Sequence, residues 1–158
     1  MRPIYRPLVG GIIATALLMI GSVSGLIADD EPKKPDLNDP TLIVRGKAVY
    51  AEHCASCHGN NLEGQPNWRK RLPNGRLLAP PHDVTGHTWH HSDRQLFDMV
   101  KNGTAAMMPG YDTDMPAYKD ALSDSDIWAV LSFIESTWPM DIRQRQQRMN
   151  SSVKRGSL

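Results

Sequence analysis

Residues 54–58 read Cys54-Ala55-Ser56-Cys57-His58, and the two cysteines in this stretch are the only ones in the chain. A disulfide between thiols three positions apart would close too small a loop to add much stability. The pair is therefore read as a chemical site. Two thiols separated by two residues on a turn of helix can each add to one vinyl group of a porphyrin, while the adjacent imidazole reaches the iron. The pattern points to one covalently bound haem c, with Cys54 and Cys57 as attachment points and His58 as an axial iron ligand.

Two other uses of the pair fit less well. A thioredoxin-like pair wants a strand before it and a helix starting at the first cysteine, whereas the residues before Cys54 already read as helix. A four-ligand zinc site needs a second paired cluster, and His82, His87, His90 and His91 lack the usual spacing.

Reading outward, Asp39 followed by Pro40 is an N-cap with proline at the first helical position, and Leu42, Ile43, Gly46, Val49 and Tyr50 recur at helical spacing toward Cys54. A helix delivers the chain to the site. Gly59 to His91 is a 33-residue stretch with four prolines and no sustained period, in which Asn74-Gly75 suits a tight turn. Loops of this length need an explanation, and wrapping a large cofactor supplies one. Ser92 caps a second helix with Leu96, Phe97 and Val100 on one face and Gly103 as its stop. A third helix starts at Ser123, with Asp126 three residues on, and carries Ile127, Val130, Leu131 and Ile134 inward up to Trp138. With no repeat and no strand-dominated region, the expected fold is all-α: three main helices wrapped around the haem, joined by long irregular loops.

The totals agree with one small domain plus peripheral segments: 158 residues, 40% hydrophobic and 22% charged. Aromatics make up only 6%, and much of the apolar content lies in the first 28 residues, so a buried macrocycle would fill a core short of large side chains. Lys plus Arg (18) nearly balances Asp plus Glu (17), which gives no case for nucleic acid. The distribution is less even. Asp29–Trp138 holds 16 acidic and 11 basic residues, net −5, while Pro139–Leu158 is net +4.

These shifts suggest four segments. Residues 1–28 form a signal peptide or N-terminal membrane anchor, 29–40 a charged, proline-punctuated linker, 41–138 the domain, and 139–158 a basic, flexible tail. Arg2 and Arg6 precede the 21 uncharged residues Leu8–Ala28, so the chain is expected to be exported to the periplasmic side. At about 1.5 Å per residue this segment just spans a core of about 30 Å, so an anchored protein and one made soluble by cleavage both fit.

The second axial ligand must come from elsewhere in the chain. Met99 lies within a helical core period, and Met140 and Met149 belong to the polar tail. Met107-Met108-Pro109 and Met115-Pro116 both sit in the irregular stretch before the last helix, where a loop can present sulfur to iron. Local chemistry leaves both open.

Met115–Thr137, MPAYKDALSDSDIWAVLSFIEST, resembles the distal-ligand segment of class I cytochromes c: a Met-Pro pair, a short loop, a Ser-capped start and a final amphipathic helix. The resemblance runs from about Leu42 to Trp138. It implies a fold of that class, with Met115 as the distal ligand and Met108 as second choice. It further implies that Gly46, Tyr50 and Phe133 form the crossing of the terminal helices, and that the carbonyl of Pro80 or Pro81 receives the His58 ring N–H. The chain departs from the compact pattern in its interval of 57 positions from His58 to Met115.

An iron with histidine and thioether on its two axial sides has no open position, so the expected role is an electron carrier rather than an enzyme, exchanging single electrons with redox protein donors and acceptors. Two alternatives stand beside it: a haem-based enzyme or sensor with a displaceable distal ligand, and a metal-handling module built on His82–His91. A second metal at His82, His87, His90 or His91 is not expected, because the four lie on a loop where haem propionates or backbone can use them and Trp89 packs among them. Trp68-Arg69-Lys70-Arg71 with Arg76 makes a basic patch, read as a solvated loop face.

Overall fold

The computed structural model describes residues 34–156, so the Leu8–Ala28 segment lies outside the described residues. These residues form α1 (Pro40–His53), α2 (Ala55–His58), a 3₁₀ turn (Thr88–His90), α3 (Asp93–Asn102), α4 (Thr104–Met107), α5 (Asp124–Ser136) and α6 (Met140–Gly156). No strand occurs among them, and none of these helices is long and apolar enough to cross a membrane.

The three expected helices start and stop where their caps say. The Asp39 carboxylate accepts from the N–H groups of Thr41 and Leu42 at 2.9 and 3.2 Å, with Pro40 opening α1. Ser92 with Gln95 and Ser123 with Asp126 form reciprocal capping boxes at α3 and α5. Each cap satisfies helix N–H groups that would otherwise lack partners, typically worth about 1 kcal/mol.

The core is organised on the crossing of α1 and α5. A Cβ at Gly46 would lie 1.9 Å from the Ala129 carbonyl oxygen and 2.9 Å from Phe133 Cβ, so only glycine lets the backbones approach this closely. One turn on, Tyr50 packs its ring 5.5 Å from that of Phe133. Side chains of α5 feed two apolar clusters. Val130 and Ile134 join Tyr50, Leu62 and Trp138, while Ile127, Trp128 and Leu131 join Leu96, Phe97 and Leu122. Each large side chain buried there contributes about 1.5–3 kcal/mol.

The last twenty residues correct one expectation. Their described part is not a flexible tail: Met140 to Gly156 is helical and packs back on the domain. Ile142 and Gln146 are buried, the Gln146 amide donates to the Asp93 carboxylate, and Asn150 Oδ1 accepts from Asp93 N–H at 2.8 Å. Asn150 thus satisfies a free N–H in the first turn of α3. The seat is largely polar, which is why apolar periodicity did not reveal it.

Under this seat lies Glu135, only 7% exposed and with Oε1 lacking a hydrogen-bond partner. Burial first, then the neighbouring Asp93 carboxyl, pushes it up to about 9. The folded chain therefore holds this proton between about pH 4.5 and 9 while the unfolded chain releases it, so stability falls as pH rises through that window. Glu135→Gln is expected to flatten the slope and to raise stability at pH 8 by roughly 1–3 kcal/mol. Urea midpoints at pH 5 and pH 8 check this, and parallel slopes in the two proteins would refute it.

Candidate functional site

Cys54 is the C-cap of α1, and α2 carries Ala55 to His58, so both thiols and the imidazole fall within five residues of one helical bend. Neither cysteine is in a disulfide. Cys54 is half-buried and Cys57 exposed. Burial, and then the neighbouring Cys57, push the Cys54 thiol up to about 11.

His58 is buried, with its Nδ1 2.8 Å from the Pro80 carbonyl oxygen. The carbonyl can only accept, so Nδ1 carries the hydrogen and Nε2 keeps its lone pair. No residue among those described bonds to Nε2. Burial lowers the His58 pKa, partly opposed by the Pro80 hydrogen bond, which favours the neutral form that can ligate a metal. An imidazole with an available Nε2 beside two cysteines not held in a disulfide is a set that fits a covalently held iron porphyrin.

The long loop exists to hold that arrangement. The Pro80 segment is fixed by Gln65 N–H donating to the Ala79 carbonyl and by Ala79 N–H donating to Gln65 Oε1. At Gly64, with φ +67°, a Cβ would come within 2.4 Å of Pro81 N, so the two limbs of the loop touch through glycine. Gly64 N–H in turn donates to the His58 carbonyl at 2.7 Å, and the Tyr50 hydroxyl donates to Gly59 O at 2.8 Å. Of the two prolines left open by sequence, Pro80 faces the histidine.

His82, missed as a neighbour of the site, stacks on His58 with ring centroids 4.0 Å apart. Its Nδ1 lies 2.8 Å from the Thr88 hydroxyl, and desolvation, then His58 and His87, lower its pKa well below normal. The other histidines of the loop go elsewhere: His87 stacks on Trp68 and His90 on Trp89. Among the described residues no three His, Cys, Asp or Glu side chains converge as a metal site.

The two candidate methionines separate. Met108 is 48% exposed, while Met115 is half-buried and its sulfur lies 3.7 Å from the Thr104 hydroxyl. The Met115 N–H donates to Thr113 Oγ1, and Tyr118, three residues on, ties this segment to α1 by donating to His53 O at 2.7 Å. The basic patch resolves into internal contacts. Arg69 lies over Trp68 and donates to Thr85 O, Arg71 donates to Gly75 O, and Arg76 pairs with Asp112 and Asp114.

The cytochrome c family model matches residues 43–138, which is most of the described chain. The chain belongs to the cytochrome c family. Haem c, covalently bound and containing iron, is its cofactor; Cys54 and Cys57 fit the attachment motif, and electron carriage is the family's role. The cytochrome is 30% identical over 99 residues to the Cbb3-type cytochrome c oxidase subunit CcoP of Azospirillum brasilense, covering 62% of this chain and 29% of that one. It is 29% identical over 106 residues to thiosulfate dehydrogenase of Stutzerimonas stutzeri, covering 66% and 30%. Against cytochrome c-555 of Prosthecochloris aestuarii it is 29% identical over 82 residues, covering 48% and 83%. The matched region thus spans under a third of the length of the first two relatives and most of the third. No solved structure matches the cytochrome.

Proposed function

We propose that this cytochrome is a single-haem, six-coordinate electron carrier working on the periplasmic side, with thioether attachment at Cys54 and Cys57, His58 as the proximal ligand and Met115 as the distal ligand. The observation that carries the reading is the 2.8 Å contact of His58 Nδ1 with Pro80 O, which leaves Nε2 free for iron. One attachment motif in 158 residues supports a single haem. The burial of Met115 relative to Met108 supports the choice of sulfur.

When bound, haem c supplies a one-electron iron couple. Pro80 fixes the orientation of the His58 ring, and burial favours its neutral form. The neutral sulfur of Met115 favours the reduced, less charged state, which raises the potential. Arg2 and Arg6 ahead of Leu8–Ala28 support export, as an anchored or a cleaved protein. Donors and acceptors are redox proteins. Residues 41–138 form the cytochrome domain, after a leader at 1–28 and a linker at 29–40.

A second reading, an enzyme or sensor whose distal ligand leaves, draws on the likeness to a thiosulfate dehydrogenase. Carbon monoxide added to the ferrous, haem-loaded protein separates the two. The carrier reading expects a Soret band that does not shift on mixing; a rapid and complete shift overturns it.

A further inference from the structure

Between α4 and α5 the segment that bears Met115 has no regular structure, so its position depends on what grips it from outside. Downstream, Tyr118 and Lys119 N–H groups donate to the Val100 and Lys101 carbonyls at 3.0 and 2.9 Å. Upstream, Met108 N–H donates to Thr104 O and Tyr111 N–H to Met108 O. Asp112 to Asp114, the residues immediately before Met115, are reached from the long loop by Arg76. Its Nε lies 2.9 Å from Asp112 Oδ2, and its Nη1 pairs with Asp114 Oδ1. Among the described residues these are the ion pairs that reach this stretch.

Arg76 is itself fixed by the turn it closes. Asn74 Oδ1 accepts from Arg76 N–H at 3.1 Å, and Leu72 N–H donates to the Arg76 carbonyl at 2.9 Å. A guanidinium is a rigid planar fork, and here its Nη1 hydrogen-bonds Asp114 while its Nε, which makes no well-aligned hydrogen bond, sits against Asp112 as an ion pair. The fork therefore joins the loop that orients His58, through Pro80, to the segment that carries Met115.

We propose that Arg76 is a positioning residue for Met115, a clamp on Asp112 and Asp114 that holds the thioether in place and limits how often it leaves. This rests on the reading of Met115 as the distal ligand. The Arg76 side chain is 34% exposed and its two partners 64%, so its weight in global stability is small, because exposed pairs are screened and hydrated. Its effect falls on a local opening instead, since a segment without regular structure opens at low cost.

The test uses the full, haem-loaded chain and imidazole as an external ligand for the ferric iron. Apparent imidazole affinity scales with the fraction of molecules in which the distal position is open, so Arg76→Gln should raise it about tenfold. The far-red iron–sulfur charge-transfer band should weaken, Arg76→Lys should restore part of it, and the urea midpoint should stay put. Asp112→Asn with Asp114→Asn should reproduce Arg76→Gln, and it carries the test alone if the arginine variant does not load haem. Wild-type imidazole affinity in both variants, with Met115→Ala binding imidazole tightly, overturns the clamp. If Met115→Ala itself leaves the band and the affinity unchanged, the ligand assignment beneath the proposal fails, and the clamp with it.

Discussion

Gly46→Ala is expected to cost the haem-loaded domain about 3 kcal/mol or more of its stability, and Gly46→Val is expected not to accumulate folded. Two effects oppose each other at this position. Alanine is the better helix former by about 1 kcal/mol, so on an open helix face the substitution would stabilise. Here the new methyl would meet the Ala129 carbonyl oxygen at 1.9 Å and its carbon at 2.5 Å, both backbone atoms that no rotamer change can move. Overpacking of this kind costs about 3 kcal/mol or more, against a total stability of roughly 5–15 kcal/mol for a domain of this size. The steric term wins. Because α5 feeds both apolar clusters, separating it from α1 loosens Val130 and Ile134 on one side and Ile127 and Leu131 on the other. Urea titration followed by Trp fluorescence and by the Soret band checks the result. A midpoint for Gly46→Ala at or above wild type would show that the helices do not cross at this distance.

Met115→Ala is expected to turn a closed iron centre into an open one and to lower its reduction potential by an amount on the order of 0.1–0.3 V, within the range of about 0.8 V that axial ligands set. In the proposed ligation the thioether is a neutral, soft donor that suits the reduced iron, and alanine would leave water or nothing in its place. The Thr104 hydroxyl, 3.7 Å from the Met115 sulfur, would then face the vacated position. Carbon monoxide should bind the ferrous variant fully, where the parent does not respond. Met108→Ala serves as the control: being 48% exposed, it should leave the potential and the carbon monoxide response unchanged. The opposite pattern, with Met108→Ala opening the iron and Met115→Ala silent, would exchange the two methionines' roles.

Much of this was legible before any coordinates, and the reasons differ by residue. Asp39-Pro40, Ser92 and Ser123 announce helix starts because capping is a local interaction that needs only neighbouring residues. The motif at Cys54 to His58 is equally local, and Asn74-Gly75 marked a turn that the structure contains, with Gly75 N–H donating to Leu72 O. What stayed hidden depends on contacts far apart in the chain. Spacing alone could not choose Pro80 over Pro81, could not place His82 against His58, and assigned Arg76 to a solvated patch although its partners lie 36 and 38 positions away. The helix at Met140 escaped for a different reason. Its buried face is built on Gln146 and Asn150 with Ile142, so the apolar stripe that reveals most packed helices is nearly absent.

That choice of side chains gives α6 a mixed seat, its amides on the Asp93 corner and its Ile142 in the cluster of Tyr50, Ile134 and Trp138. A helix seated through amides and a carboxylate uncovers, on leaving, groups that water satisfies at once, whereas one seated on leucines would leave a face prone to aggregation. Uncovering the Asp93 corner therefore exposes polar groups that water can take over, while Ile142 keeps the helix tied to the cluster around Tyr50 and Trp138.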